Sequence, residues 1–287
     1  MQEKKDLTAP AGTESDGSGL YSPTGTSFER ILSIGAQTAV FVVRRGAERL
    51  LCKRLVQRAL AETSARESVR REGAILDALK GRGAPRLVGR GDGEDADGPY
   101  LLLELVAAPE LSAGLHGRAF VDVARACFAS LAQVHDADDE RGALGIIHGD
   151  VSPGNVLLDD GAAHAVLVDF GLAIGRDWPP SDSGTFRGTL RFAAPESARG
   201  EPLDARSDLF SMAASLLAVA TGSDAREAAH PAALLADAGS LPLDGLLARA
   251  RASLEPAVVA ILAPCVAFER ADRPESARAV HAALGLC

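Results

Sequence analysis

Residues 31–56, ILSIGAQTAVFVVRRGAERLLCKRLV, decide how the first third of the chain is read. Three runs rich in valine, isoleucine and leucine are separated by turn signals, one at Gly35 and one at Arg45–Gly46. Short apolar runs bounded in this way predict three consecutive strands. On the C-terminal side, residues 62–80 set Ala65, Val69, Leu76 and Leu79 on one face at helical spacing, which predicts a helix. YLLLELV (100–106) follows a Gly/Asp-rich turn and predicts a further strand, so the order is strand, strand, strand, helix, strand. On the N-terminal side, residues 1–27 are rich in Ser, Thr, Gly and Pro with few large apolar residues, and are expected to form a flexible leader.

Beyond about residue 108 the pattern turns helical. Phe120, Ala124, Phe128, Leu131 and Val134 make one stripe, and DLFSMAASLLAVATG predicts a buried helix ending at Gly222. Residues 256–286 predict a helix, a break at Asp272–Pro274 and a second helix, and short strands are expected around 156–170. The expected fold is therefore α+β and bilobal. A small antiparallel-sheet lobe (28–106) precedes a larger helical lobe (107–286).

Composition narrows the function classes. The 287 residues hold 47% apolar and 24% charged side chains, the balance of a soluble globular protein. No apolar run reaches the ~18 residues of a membrane span, so no membrane partner is expected. The start, MQEKKDLTAP, lacks a secretory apolar stretch, which predicts a cytoplasmic location. Cys52, Cys127, Cys265 and Cys287 show neither CxxC pairing nor metal-ligand spacing. A net charge of −9 argues against nucleic acid as partner, since binding phosphate backbones takes a basic surface. Residues 44–90 do carry 13 Lys/Arg against 5 Asp/Glu, a balance that reads as a solvated face.

Three constellations resist a purely structural reading. Glu72 falls on the apolar face of its predicted helix, between Val69 and Ile75–Leu76, and Lys53 sits inside the apolar strand LLCKRLV. Each buried charge needs a partner to offset its desolvation, so the two predict an ion pair between strand and helix. Buried ion pairs add little to stability, which leaves room for a role at a phosphate site. The second constellation is HGDVSPGNVLL, with His148, Asp150 and Asn155. The third is VLVDFG, an apolar strand ending in Asp169 with Gly171 two residues on. Phosphoryl transfer needs such a set: a carboxylate to orient the attacking hydroxyl, a carboxylate and an amide oxygen for magnesium, and a lysine for phosphate oxygens.

In the order and spacing of these motifs the sequence resembles the eukaryotic-like Ser/Thr protein kinases found in bacteria. Lys53 and Glu72 stand where that family has its strand lysine and helix glutamate, and His148-Gly149-Asp150 with Asn155 stands at the catalytic loop. Asp169-Phe170-Gly171 matches the magnesium motif, and Gly188-Thr189 with Ala194-Pro195-Glu196 the end of the activation segment. Asp208 resembles the aspartate that opens the long helix, and Arg273 the arginine that pairs with Glu196. Leu103 falls at the gatekeeper position. The resemblance implies ATP and Mg2+ as cofactors and a protein with a Ser/Thr acceptor as substrate. It implies catalytic roles for Asp150, Lys53, Asn155 and Asp169, with Asn155 and Asp169 as the metal ligands. Nucleotide contacts are implied at Gly35, Val42, Lys53 and Glu72, and at Glu104, Val106 and Leu157.

Four positions depart from the family pattern. The glycine loop keeps only Gly35 and Val42 in GAQTAVFV, Leu51 replaces an alanine, Gly149 replaces the arginine before the catalytic aspartate, and Ser152 replaces a lysine. With no side chain at Gly149 to receive a phosphate, phosphorylation of Ser181, Ser183 or Thr185 is not expected to switch the enzyme. Three functions stay open on the sequence: an active protein kinase, a phosphotransferase of the aminoglycoside type, which shares HGD-x-x-x-x-N, and a non-catalytic pseudokinase acting as a binding module.

Overall fold

The computed structural model describes residues 22–91, 98–112, 117–158, 164–180 and 186–287. Most of the expected leader (1–21) and the candidates Ser181, Ser183 and Thr185 lie outside the described residues. The chain divides into two compact units, residues 1–73 with 87–105, and residues 74–86 with 106–287.

In the first unit the three β-rich runs form β1 (Ser27–Ile34), β2 (Thr38–Arg45) and β3 (Glu48–Leu55), antiparallel neighbours in a five-stranded sheet of order β1-β2-β3-β5-β4. The register sets Val40 against Lys53, and Lys53 against Leu101 of β5 (Tyr100–Glu104). Alternation buries Phe41, Val43, Leu50 and Cys52. The helix expected over 62–80 is α1 (Thr63–Leu79), and its Ala65, Val69, Leu76 and Leu79 are all buried. One strand escapes the sequence reading. β4 (Leu87–Gly91) is LVGRG, five residues with two glycines, and it forms because the free edge of β5 offers it a ladder from Leu87↔Leu103 to Gly91↔Tyr100.

The second unit is mostly helical, and it includes residues 74–86, the end of α1 and the turn after it. That turn is tied to α2 (Gly117–His135): Ser130 Oγ donates to Gly83 O, and Gly83 N donates to Gln133 Oε1. The expected α2 stripe, Phe120, Ala124, Phe128, Leu131 and Val134, is fully buried. At roughly 1.5–3 kcal/mol for each large side chain taken from water, it anchors the helix. Two small hairpins follow, β6 (Asp138–Asp139) with β7 (Gly142–Ala143), and β8 (Val156–Leu158) with β9 (Ala165–Leu167).

After a one-turn α3 (Pro195–Ala198) comes α4 (Ala205–Thr221), largely apolar and buried from Ser207 to Ala220. Asp204 caps it, accepting from Arg206 N while Ser207 Oγ accepts from Asp204 N, and the helix stops at Gly222 as expected. Residues 223–255, unassigned from sequence, contain α5 (Pro231–Ser240) and α6 (Asp244–Ser253). The last segment gives α7 (Pro256–Leu262) and α8 (Ala277–Leu284), so the break is wider than Asp272–Pro274. Among the described residues no helix is long and apolar enough to cross a membrane.

Candidate active site

The first unit contributes the ion pair. β3 carries Lys53 and α1 carries Glu72, 7% and 2% exposed, with Lys53 Nζ 2.9 Å from Glu72 Oε1 and 2.7 Å from Oε2. The unbroken ladder on both sides of β3 fixes the lysine, and the apolar neighbours of Glu72 on α1 turn that carboxylate inward. The β1–β2 turn, where the glycine loop was expected, is held by side chains. Arg58 donates through Nη2 to Gly35 O and through Nε to Ala36 O, and Gln37 Nε2 donates to Glu62 Oε2. The sequence reading had not singled out Arg58. Gly35 is exposed, Val42 is buried in β2, and Glu104 is exposed at the end of β5.

The second unit holds the other expected residues, and it brings Asp150, Asn155 and Asp169 together. Asn155 Nδ2 donates to Asp150 O at 2.8 Å and to Asp150 Oδ2 at 3.3 Å, so the five-residue spacing closes a loop on itself. Thr189 N donates to Asp150 Oδ1 at 2.7 Å. Burial raises the Asp150 carboxyl above its ordinary value, opposed by the hydrogen bonds from Thr189 and helped by the nearby charge of Asp169. Val106 and Leu157 are half-buried, the latter in β8 and bridged to Glu110.

His148 organises the loop from below. Its Nε2 lies 3.0 Å from Val168 O and must carry the proton there, which leaves Nδ1 to accept from Asp150 N at 3.3 Å. The ring packs on Phe170, centroids 4.7 Å apart. Asp208, from the first turn of α4, accepts from His148 N (2.7 Å) and Gly149 N (2.9 Å). Gly149 has φ +76°, a left-handed backbone that glycine adopts without a side-chain penalty. His135, at the end of α2, also donates to Asp208, through Nε2 at 2.9 Å. A histidine closing a helix has no signature in sequence, and this one was missed. Burial pushes the Asp208 carboxyl up, but His135, His148 and the Gly149 N–H together hold it below its ordinary value.

Asp169 also adopts a left-handed backbone, φ 64° and ψ 71°, and its Oδ1 accepts from Gly171 N at 3.4 Å. Such strain in a non-glycine residue persists where the surroundings over-determine it, and functional sites are where it collects. The donor set suits magnesium. Asp169 is an exposed carboxylate, and Asn155, whose amide nitrogen is committed to Asp150, has its oxygen left for a cation. Among the described residues no three His, Cys, Asp or Glu side chains form a metal cage.

Behind the site, Arg273 donates to Glu196 through Nη1 (2.6 Å) and Nη2 (2.9 Å), both residues buried, and Ser207 Oγ adds a third hydrogen bond to the carboxylate. This is the pair the resemblance implied.

The family model of the protein kinase domain matches residues 27–281. The chain is 46% identical over 81 residues, 28% of its length, to a DNA damage-responsive serine/threonine-protein kinase RqkA of Deinococcus radiodurans, and covers 12% of that protein. It is 31% identical over 196 residues, 67% of its length, to the serine/threonine-protein kinase Pkn1 of Myxococcus xanthus, covering 26% of it. It is 30% identical over 198 residues, 68% of its length, to human serine/threonine-protein kinase Sgk2, covering 53% of it. The chain thus spans well under two thirds of these relatives' own lengths. With Lys53 on Glu72, Asp150 held beside Asn155 and Arg273 on Glu196, and with the match running through all three pairs, the chain belongs to the protein kinase domain family.

Proposed function

We propose that the chain is an ATP-dependent protein kinase that phosphorylates serine or threonine hydroxyls of a protein substrate. The observation that carries this reading is the setting of Asp150: a half-buried carboxylate, oriented by Thr189 N and Asn155 Nδ2, with its pKa raised. A raised pKa makes a carboxylate a better proton acceptor. In this reading Asp150 aligns the acceptor hydroxyl and takes its proton as the oxygen becomes a nucleophile. MgATP supplies the phosphoryl group and the cation that neutralises its charge. Asn155 and Asp169 offer the oxygens for that cation, and Lys53, steadied by Glu72, offers an ammonium to phosphate oxygens. The turn at Gly35, Val42, and the hinge at Glu104 and Val106 with Leu157 serve the nucleotide. The serine/threonine preference is supported by the names of the relatives and by the Gly188-Thr189 pair. Incubation of the purified chain with γ-labelled MgATP and a degenerate Ser/Thr peptide library tests it. Label is expected on Ser and Thr with the wild-type chain and not with Asp150→Asn. No magnesium-dependent transfer by the wild type overturns the proposal.

A further inference from the structure

Arg226 lies in the connection between α4 and α5, is 6% exposed, and among the described residues has no carboxylate within salt-bridge distance. Its Nη1 donates to Ala193 O at 2.9 Å and to Arg191 O at 3.4 Å. Its Nε and Nη2 are buried and have no hydrogen-bond partner. Those two nitrogens form one edge of the guanidinium, the edge that elsewhere takes a carboxylate side-on. The guanidinium sits 5.4 Å from the centroid of Phe210, whose ring also receives Arg273 at 4.8 Å. Burial lowers the Arg226 pKa to about 10, with the charge of Asp237 opposing the shift.

This is a poor way to stabilise a fold. A buried cation with one donor satisfied and an edge left bare costs desolvation that the carbonyl bonds and the ring only partly offset. Replacing such a group by an apolar side chain of similar volume is often neutral or stabilising. What Arg226 does hold is specific. Its two acceptors are the carbonyls of residues 191 and 193, in the stretch that follows Thr189, the residue whose N–H orients Asp150. Phe210, beneath the guanidinium, lies two residues after Asp208, which holds His148 N and Gly149 N. One helix, α4, therefore fixes the catalytic loop directly through Asp208, and carries at Phe210 the ring beneath the arginine that fixes residues 191–193.

We propose that Arg226 is a positioning residue for phosphoryl transfer: it pins the carbonyls of Arg191 and Ala193 so that the segment carrying Thr189 is held where the acceptor hydroxyl meets Asp150. The inference rests on the proposed kinase activity and adds to it a residue that no catalytic motif contains. It acts on the acceptor side and touches neither nucleotide nor metal ligands.

The test compares wild type, Arg226→Met and Arg226→Lys as the full chain, measuring transfer to a degenerate Ser/Thr peptide library at sub-saturating peptide, KM for ATP, and thermal midpoint. Met keeps the volume and removes every donor. It is expected to lower the peptide rate at least tenfold, with KM for ATP within twofold and the thermal midpoint unchanged or higher. Lys keeps a donor that reaches Ala193 O and is expected to recover part of the lost rate. A Met variant with a peptide rate within twofold of wild type overturns the proposal. So does a folded Met variant that melts well below wild type, since the residue is then structural. Should Met not fold, Lys is read on the same split, and a loss that falls equally on peptide rate and KM for ATP again overturns it. A wild-type chain that transfers nothing from MgATP sinks the kinase reading itself, an outcome distinct from a wild type that works and a Met variant that works as well.

Discussion

Thr189 N donates to Asp150 Oδ1 at 2.7 Å, and beside it Gly188 has φ +119°, where a β-carbon would come within 3.2 Å of that same oxygen. The glycine is what lets the backbone N–H approach the carboxylate. A second consequence follows from the cost of that setting. The folded pKa of Asp150 is raised, so its contribution to stability is present in acid and is lost as pH rises through that raised value.

Asp150→Asn is expected to cut turnover by at least ~10²-fold, with nucleotide affinity kept, because the amide aligns a hydroxyl but takes no proton. Its thermal midpoint at pH 7 is expected to equal or exceed that of wild type, the gap narrowing as pH falls through the raised Asp150 value. In the wild type the acidic limb of kcat/KM is expected above the ordinary aspartate value of 3.8. Turnover of the variant within tenfold of wild type removes Asp150 from the chemistry.

Lys53→Met leaves Glu72 buried at 2% exposure without its cation. The single variant is expected to lose ~3–5 kcal/mol of stability, the usual result of breaking a buried pair from one side. Turnover is expected to fall ~10²–10³-fold, as when a donor aimed at developing charge is removed. The double variant Lys53→Met/Glu72→Leu separates the two effects. Denaturant unfolding should show most of the stability restored, while the transfer assay shows none of the activity. Activity returning with stability assigns the pair to structure alone.

Much of this arrangement is readable in the sequence, and the unread parts have physical causes. The strands β1 to β3 announce themselves as apolar runs bounded by turn signals, and the stripe on α2 because its burial is periodic; both survive in one dimension. Lys53 and Glu72 stand out because a charge breaks such a pattern. β4 does not, since LVGRG has little strand character of its own and forms on the edge of β5. His135 and Arg226 are invisible for a related reason. Their partners, Asp208 73 residues away and the carbonyls of a distant segment, exist only after folding. Arg58 ties the β1–β2 turn by donating to the carbonyls of Gly35 and Ala36, which no motif encodes.

Asp169 offers a way to separate charge from backbone. Asn tolerates the left-handed conformation at φ 64° and keeps an oxygen for Gly171 N, whereas Ala does neither. Both variants are expected to lose transfer at physiological magnesium. Asp169→Asn should keep the wild-type thermal midpoint, and Asp169→Ala should melt lower, by an amount on the order of 1 kcal/mol for the strained position. Raised magnesium is expected to restore part of the activity to Asn only. Full activity of either variant at low magnesium removes Asp169 as a metal ligand.

Glu196 shows the opposite linkage to Asp150. Burial would raise its pKa, but Arg273 and Ser207 hold it below the ordinary 4.5. A depressed carboxyl gives stability that is present above its unfolded value and lost as pH falls through the folded one. Arg273→Met is expected to cost ~3–5 kcal/mol at pH 7, from an uncompensated buried carboxylate. That deficit should shrink on acidification and be smallest below the depressed wild-type value, where Glu196 is protonated in both proteins. Unfolding in urea at pH 7 and pH 4 checks it. A deficit that is equal at both values means the arginine works through packing on Phe210 rather than through the charge.

The absence of a side chain at Gly149 bears on regulation. In kinases of this type an arginine at that position receives a phosphate on the activation segment and orders it. Gly149 instead has φ +76°, and a β-carbon there would stand 3.3 Å from Leu172 O. Two arginines nearby in sequence are the remaining candidates. Arg191 is already engaged with Asp224 and Arg226 O, and Arg187 is exposed. Position 149 therefore offers a phosphate on the segment no guanidinium, a contact worth ~1.5–3 kcal/mol per charged hydrogen bond. Meanwhile Thr189 already orients Asp150 through its backbone with no phosphate involved. The triple variant Ser181→Ala/Ser183→Ala/Thr185→Ala is accordingly expected to keep kcat/KM on an exogenous peptide within tenfold of wild type. A larger loss, beyond ~1.4 kcal/mol of transition-state stabilisation, shows that phosphate switches the segment through a cation other than one at Gly149.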